Sequence, residues 1–242
     1  MTGTTRPTPK TPTQKVIGLI GGMSWESTAE YYRLANELVR DRLGGLHSAR
    51  LLLASVDFAD IERLQAAGQW EAAGELLAGI ARSLEAGGAE LLLLCTNTMH
   101  KVAPAIEAAS SIPFLHLADA TATAVRAAGI DTVGLLGTAF TMEQAFYSER
   151  LQRLGLRVIV PEADDRAEVH RVIYDELCRG QVLDSSRDGV KAVIGRLADA
   201  GARGVILGCT ELELLISQAD SPIPAFPTTR LHVEAAIDAA FS

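Results

Sequence analysis

The chain has 242 residues, and at a domain size of about 150 residues this length allows one large domain or two small ones. Hydrophobic residues make up 48% of the chain and charged residues 21%, which excludes a wholly disordered protein. Asp and Glu outnumber Lys and Arg by 30 to 22, which gives a net charge of −8, and the sequence contains no run of basic residues. We therefore do not expect the protein to bind nucleic acid.

The first residues and the cysteines indicate where the protein works. Residues 1–14 are rich in Thr and Pro and lack the apolar stretch of a secretory signal, so we expect a disordered tail there. The longest purely apolar run, residues 91–95, has the length of a strand, and no membrane partner is expected. Cys95, Cys178 and Cys209 are odd in number and form no C-x-x-C pair. We therefore expect a cytoplasmic protein with reduced thiols and no metal site.

Short apolar runs alternate with longer segments of helical period, which predicts an α/β fold with parallel sheets. The predicted strands cover residues 15–20, 50–55, 90–95, 113–116, 132–136, 156–160, 203–207 and 223–226. Ser24 is the predicted N-cap of the first helix, because Tyr31, Leu34, Ala35 and Leu38 follow it with helical spacing. Further helical stripes cover residues 61–67, 71–84, 125–128, 146–154, 169–177, 190–197 and 232–241.

The chain contains an approximate internal repeat. Residues 16–22, VIGLIGG, resemble residues 132–138, TVGLLGT. We therefore expect two similar α/β lobes related by a pseudo-twofold axis, each a parallel sheet flanked by helices. The first comprises residues 15–118 with a C-terminal helix at about 228–242, and the second comprises residues 119–227. Because open α/β sheets bind ligands at the carboxyl ends of their strands, the active site is predicted between the lobes.

Two apolar strands end in clusters of small polar residues and are followed by helical segments. The clusters lie in LLLLCTNTMH, residues 91–100, and in VILGCTELELL, residues 205–215. The N-terminus of a helix favours a carboxylate and a thiolate, so Asn97, Thr98 and Thr210 are candidate ligands of a substrate carboxylate. Either cluster alone is compatible with ordinary turn chemistry. Their repetition at matching positions favours a functional interpretation.

Five motifs in order resemble the aspartate/glutamate racemase superfamily, and especially its bacterial cofactor-independent branch of L-aspartate/glutamate-specific and broad-specificity amino-acid racemases. The motifs are GLIGGMSWEST (18–28), LHSARLLLASVDF (46–58), CTNTMHKVA (95–103), LLGTAFTMEQ (135–144) and GCTEL (208–212). The resemblance implies a two-lobed fold with its site between the lobes, a small amino-acid substrate, a homodimer, and catalysis without pyridoxal phosphate, metal or any other cofactor.

The same resemblance implies two residues, usually both cysteines, that exchange protons with opposite faces of the substrate Cα. One matches Cys209, whose pKa we expect a helix N-terminus to lower. Thr96 stands where the other cysteine usually does, and Cys95 precedes it. Successive side chains of a strand point to opposite faces, so we expect Cys95 in the core unless a bulge restores it to the cleft. Since a hydroxyl is a poorer base than a thiolate, conversion of the L-enantiomer is expected to exceed the reverse.

Other site residues follow from the same motifs. We expect substrate contacts from Met23, Ser24, Asn97, Thr98, Thr138, Thr141 and Thr210, with helix capping as the alternative for the two turns that hold Ser24 and Thr138. His100 is expected to position its neighbours through hydrogen bonds. Glu211 either orients neighbouring groups of the site or only interacts favourably with the dipole of the helix that follows it.

An acidic substrate needs a cation for its second carboxylate. The candidates are Arg42, His47 and Arg50, although each is compatible with a solvated surface position. Cys178 is expected to pack in a helical stretch. Besides a racemase, two other interpretations remain open. One is a single-thiol decarboxylase or maleate-type isomerase of the same superfamily, and the other is a carboxylate-binding or amino-acid-binding protein without turnover.

Overall fold

The computed structural model describes residues 13–242 and contains two four-stranded parallel sheets. The first sheet has the order β2-β1-β3-β4, and the second has the order β6-β5-β7-β8. Their strands are β1 Ile17–Gly21, β2 Leu51–Ser55, β3 Leu91–Leu94, β4 Phe114–Leu115, β5 Thr132–Gly137, β6 Arg157–Ile159, β7 Gly204–Gly208 and β8 Ala225–Pro227. The sheets therefore have the same topology, which confirms the predicted α/β class with two similar halves.

Helices flank both sheets. They are α1 Trp25–Leu43, α2 Phe58–Ala66, α3 Trp70–Ala86, α4 Ala103–Ala109, α5 Leu117–Ala127, α6 Ala139–Glu143, α7 Ala145–Arg153, α8 Ala163–Arg171, α9 Asp184–Asp199, α10 Leu212–Leu215 and α11 Thr228–Ala240. The Ser24 side chain accepts a hydrogen bond from the backbone of Ser27, as expected of the N-cap of α1.

Several predicted boundaries were wrong for local reasons. Helix α5 begins eight residues before the predicted 125 because the ring of His116 accepts from the backbone N–H of Ala118 and caps it. The segment predicted as one helix over 169–177 is α-helical only to Arg171 and continues as a π-helical turn, Val172–Glu176. Thr98–Val102, which follows β3, is a 3₁₀ turn rather than the start of a long helix.

Glycines at equivalent places in the two sheets leave room for neighbouring leucine side chains, from β3 in the first sheet and from α9 in the second. A Cβ at Gly18 in β1 would lie 2.8 Å from the side chain of Leu92, and one at Gly134 in β5 would lie 2.8 Å from that of Leu197. These separations are too short for carbon atoms, so neither position accepts a larger residue without repacking. The repeat in the sequence therefore has a packing reason at these two residues.

The strand register defines which residues of the two halves are equivalent. Ile20 of β1 pairs with Leu94 of β3, and Leu136 of β5 pairs with Leu207 of β7. The repeat aligns Ile20 with Leu136, so Leu94 corresponds to Leu207. Counting two residues further, Thr96 corresponds to Cys209 in space.

Helix α11 packs on the first sheet. Its residues Val233 and Ile237 lie in the same buried cluster as Ile17 and Leu19 of β1. The backbone N–H of Lys15 donates to the carbonyl of Ala240 over 2.9 Å. Residues 1–12 of the expected tail lie outside the described residues, and its last residue, Gln14, is buried. The division of the chain at residues 118 and 227 stays a prediction.

Within residues 13–242, no helix combines the length and apolar character that crossing a membrane requires.

Candidate active site

A cavity of about 40 Å³ lies where the carboxyl ends of β3 and β7 meet. This volume holds about three water molecules. Its walls come from both halves of the chain. They are formed by Met23, Ser24, Phe58, Gln65, Thr96, Asn97, Thr98, Thr138, Ile173, Tyr174, Cys178, Gly208, Cys209, Thr210 and Glu211.

Thr96 and Cys209 both line the cavity, and Cys95 does not. Cys95 is completely buried in the core of the first sheet, with Leu91 and Leu93 on the same face of β3. No bulge returns it to the cleft, and burial raises the pKa of its thiol far above the ordinary value. Two residues at equivalent strand ends, Thr96 and Cys209, therefore face one space.

Glu211 is the centre of a hydrogen-bonded group around Cys209. The thiol of Cys209 donates to one carboxylate oxygen over 3.0 Å, and the hydroxyl of Thr210 donates to the same oxygen over 2.7 Å. The hydroxyl of Ser24, from the other half of the chain, donates to the second oxygen over 2.7 Å. Glu211 thus lines the cavity and holds the thiol in place. Its role is therefore not limited to an interaction with the dipole of the following helix.

The expectation that a helix lowers the pKa of Cys209 was wrong. Burial raises the pKa of this thiol well above its usual value, and the nearby charge of Glu211 raises it further. The helix that follows, α10, has only four residues, and a short helix provides a weak dipole. In the closed cavity the Cys209 side chain is therefore a neutral thiol whose hydrogen points at a carboxylate.

Threonine hydroxyls join the two halves on the other side of the cavity. Thr98 and Thr138 share a hydrogen bond of 3.1 Å, and Thr138 also contacts the Thr141 hydroxyl at 3.2 Å. Thr138 caps α6, as Ser24 caps α1. Thr141 was also expected to contact substrate. Its side chain is fully buried and lies outside the cavity wall, so that contact stays a prediction.

Asn97 and Gln65 place buried amide groups in the cavity wall. Nδ2 of Asn97 donates to the hydroxyl of Thr228 over 3.1 Å, and its Oδ1 has no hydrogen-bond partner. Gln65 lies on α2, where it shares the buried face with Ile61, and its Oε1 is also unpaired. Both oxygens have almost no accessible surface, and a buried acceptor without a donor is costly.

His100 supports Thr96 from behind the cavity. Its Nδ1 lies 2.7 Å from the carbonyl oxygen of Thr96, and its Nε2 accepts from the backbone N–H of Leu117 over 3.2 Å. These partners require a neutral ring protonated on Nδ1. Burial, together with His116 and His232, lowers the pKa of His100 well below its usual value. A neutral, fully bonded ring positions the strand end and does not transfer protons.

The three expected cations lie away from the cavity wall. Arg42 pairs with Asp238 of α11 at 2.8 Å, Arg50 donates to the carbonyl of Gln14, and His47 is exposed. Their placement follows from topology, since all three precede β2 and so lie at the amino end of that strand, opposite its carboxyl end.

Sequence reasoning missed several wall residues. Phe58, Gln65, Ile173 and Tyr174 line the cavity, and Cys178, expected only to pack, lines it as well. Gln65 carried a readable signal, because it is a polar residue four positions after Ile61 on the buried face of α2. The other residues come from α2 and from the irregular turns after α8, whose position depends on packing between distant segments.

The structure is a duplicated α/β fold with a cavity between two equivalent strand ends. The chain belongs to the Asp/Glu/hydantoin racemase family, whose model matches residues 20–236. Among solved structures, it is 53% identical to a Yersinia pestis protein assigned to the Asp/Glu racemases, with a TM-score of 0.89 over 94% of this chain and 100% of that chain.

Two further structures extend the comparison. An aspartate racemase homologue from Pyrococcus horikoshii is 33% identical, with a TM-score of 0.84 over 94% of this chain and 100% of that chain. The glutamate racemase of Francisella tularensis, solved in complex with D-glutamate, is 15% identical, with a TM-score of 0.61 over 95% and 82% of the two chains. At that identity the similarity shows a shared fold.

Proposed function

We propose that this protein is an amino-acid racemase that acts on aspartate, glutamate or other small amino acids without a cofactor. The observation that carries the proposal is the pairing of Thr96 with Cys209. The two residues occupy equivalent strand ends and line one cavity. Racemisation needs a proton removed from one face of Cα and a proton supplied to the other, and two opposed groups serve that need.

In the proposed reaction, Glu211 takes the proton of the Cys209 thiol, and the thiolate removes the Cα proton of the L-enantiomer. The Sγ–H bond already points at Oε2 of Glu211 over 3.0 Å, so the proton has a defined acceptor. Thr96 then passes a proton to the opposite face of Cα and regains one from water, to which Glu211 returns the proton that it took from the thiol. Because the Thr96 hydroxyl is a weak base, the reverse reaction from the D-enantiomer is expected to be slow.

The carbanion formed at Cα requires stabilisation by hydrogen bonds to the substrate carboxylate. Thr98 and Thr210 supply hydroxyl donors at the two strand ends, and Ser24 supplies one from the turn before α1. These side chains are held by bonds to Thr138 and Glu211 before substrate arrives. Each hydroxyl has one hydrogen, so Thr210 and Ser24 turn theirs from Glu211 to the substrate carboxylate when substrate binds.

The test follows the Cα proton by NMR in D₂O for L- and D-aspartate, L- and D-glutamate and a panel of small amino acids. Chiral analysis of the product accompanies it. We expect exchange with inversion from the L-enantiomers, and a loss of about 10³-fold or more in Cys209→Ala. Cys95→Ala is the matched control, since this buried thiol lies outside the cavity and its loss should leave exchange intact.

Three results would contradict the proposal. Equal exchange rates in wild type and Cys209→Ala would remove the thiol from the reaction. Exchange without inversion would show a one-sided catalyst, and would favour the decarboxylase or isomerase alternatives, which protonate a carbanion from one face. Binding of amino acids without any exchange would favour a binding protein.

We further propose that the enzyme works in the cytoplasm as a homodimer and releases a D-amino acid. Membership of the racemase family supports the reaction, and the acidic, cysteine-poor composition is compatible with that compartment. Light scattering during gel filtration measures the oligomeric state, and a monomer at working concentration would overturn the dimer.

A further inference from the structure

A second and larger cavity adjoins the one between Thr96 and Cys209. The larger cavity has a volume of about 520 Å³, and Thr210 and Glu211 line both cavities. Its wall includes exposed residues such as Leu214, so it opens to solvent, whereas Glu211 is buried. Water enters such a space, because its wall is rich in polar groups and its volume is far above the ~15 Å³ that one water molecule needs. Glu211 therefore lies between a small closed cavity and a larger one that solvent reaches.

The proposed reaction leaves a proton on Glu211 in every turnover. Glu211 accepts it from the thiol of Cys209 over 3.0 Å and has to return it to water before the next turnover. The cavity that holds Cys209 has room for about three water molecules, so a bound amino acid displaces the water on that side. The larger cavity reaches the same residue and offers the proton a path that does not cross the substrate.

Glu213 is a proton acceptor in the wall of the larger cavity. It stands two residues after Glu211, and its carboxylate accepts a hydrogen bond from the backbone N–H of Thr229 over 2.9 Å. Burial raises the pKa of Glu213 to about 7, and the charges of Glu30 and Glu211 add to that rise. A carboxylate with such a pKa takes up and releases a proton readily near pH 7.

The other charged groups in the wall of the larger cavity come from α1 and α11. Arg33 of α1 pairs with Glu30, and Arg230 pairs within its own helix, α11. Within residues 13–242, neither Glu213 nor Glu26 of α1 forms an ion pair, so each changes its charge without breaking one. Of these two carboxylates, Glu213 stands on the segment that carries the reacting thiol.

We infer that the larger cavity is the route by which the proton of Glu211 leaves the site, and that Glu213 receives this proton through water. The O–H bond of protonated Glu211 breaks, and a water molecule takes the proton and gives one of its own to the carboxylate of Glu213. Glu213 then releases its proton to solvent, and both residues are carboxylates again. The inference rests on the proposed racemase function. Glu213 is a positioning residue, because it acts through Glu211 and lies outside the wall around Cys209.

The test is the kinetics of Glu213→Gln with the amino acid that the wild type racemises fastest. The amide oxygen of glutamine can still accept from the backbone of Thr229, but the side chain takes up no proton at neutral pH. Because Glu211 releases its proton after Cα has lost its own, kcat should fall about tenfold and KM with it, which leaves kcat/KM nearly unchanged. Glu37→Gln is the matched control, because Glu37 pairs with Arg33 but lies outside the wall of the larger cavity.

A small buffer gives a readout that a structural defect would not change. Imidazole fits a cavity of 520 Å³ and exchanges protons near pH 7. It should raise the kcat of Glu213→Gln toward the wild-type value and leave the kcat of Glu37→Gln unchanged. Leu214→Trp enlarges an exposed side chain of the cavity wall, so adding it to Glu213→Gln should weaken the rescue by imidazole.

The outcomes separate the inference from the proposed function. A wild-type kcat in folded Glu213→Gln, or a loss that imidazole does not reverse, would remove Glu213 from the path. A loss of kcat in Glu26→Gln rather than in Glu213→Gln would assign the proton to the other carboxylate and overturn the inference. Rescue that Leu214→Trp does not weaken would move the path out of this cavity.

Two further outcomes complete the test. If Glu213→Gln does not fold, Leu214→Trp alone should still lower kcat, and an unchanged kcat would overturn the route through the larger cavity. Failure of the wild type to exchange any amino acid would overturn the proposed function and the inference together.

Discussion

The residues that follow β3 and β7 occupy equivalent backbone positions in the two halves but carry different side chains. By strand register, Thr96 corresponds to Cys209 and Thr98 corresponds to Glu211. At the first end the hydroxyl of Thr98 bonds to Thr138, and at the second the carboxylate of Glu211 bonds to the thiol and to Ser24. The comparison teaches that a duplicated scaffold supplies the two-sided geometry, while a few substitutions make the two sides unequal.

The two ends also differ in what lies one residue before. Cys95 corresponds to Gly208, where a Cβ would lie 2.7 Å from the carbonyl oxygen of Leu136. The second half therefore has no room for a side chain at that position. The dipeptide Cys-Thr occurs in both halves, at residues 95–96 and 209–210, but the two copies are not structurally equivalent. The second copy stands one position later relative to its strand.

The largest expected effect comes from making the two ends alike. Cys209→Thr should lower exchange by about 10³-fold, because both walls would then carry only hydroxyls. Thr96→Cys should raise the rate from the D-enantiomer by about tenfold or more, because it adds a thiol to the weaker wall. Initial rates from each pure enantiomer measure both effects. Similar rates from the two enantiomers in wild type would contradict the inequality on which this prediction depends.

A second difference lies four residues further along each half, at His100 and Glu213. Glu213 is half-buried, accepts from the backbone of Thr229 over 2.9 Å, and has a pKa that burial raises to about 7. The folded protein therefore holds this proton more tightly than the unfolded chain, and the stability so gained is complete below about pH 4.5 and lost as pH rises toward 7.

Glu213→Gln removes this dependence on pH. Relative to wild type, the variant should gain about 3 kcal/mol of unfolding free energy between pH 4.5 and 7, and retain that gain above pH 7. Urea unfolding at several pH values measures the difference. A difference independent of pH would show that folding does not raise the pKa of Glu213.

The smallest expected effect concerns the charge beside Cys209. Glu211→Gln removes the carboxylate that raises the pKa of this thiol, so the pKa should fall. Without substrate, alkylation of Cys209 by iodoacetamide at pH 7 should become faster, because the thiolate is the reactive form. Exchange at Cα should fall in the same variant, because Glu211 is the proposed acceptor of the thiol proton. Mass spectrometry of the modified peptide distinguishes Cys209 from Cys178, and the rate with Ser24→Ala controls for loosening of the group. Slower alkylation would reverse the assigned electrostatic role.

The sequence predicted the fold and much of the wall because both leave local patterns. The apolar strands, the repeat of VIGLIGG in TVGLLGT, and the polar clusters after β3 and β7 placed Thr96, Asn97, Thr98, Cys209 and Thr210 at one edge. Three features depended on distant packing and had no such pattern. They are the protonation of the Cys209 thiol, the burial of Thr141 outside the cavity wall, and the place of Gln65 of α2 in that wall.

The place of α11 has a consequence for how the protein is made. This helix completes the buried cluster around β1, and 224 positions separate Lys15 from its hydrogen-bond partner Ala239. A ribosome therefore produces the first sheet long before the helix that covers it. The apolar face formed by Ile17, Leu19 and Leu93 also packs against α1, but the part that α11 covers stays exposed while the second sheet is translated. We expect nascent chains that stop before Thr228 to bind chaperones, because their first sheet lacks the helix that completes its core.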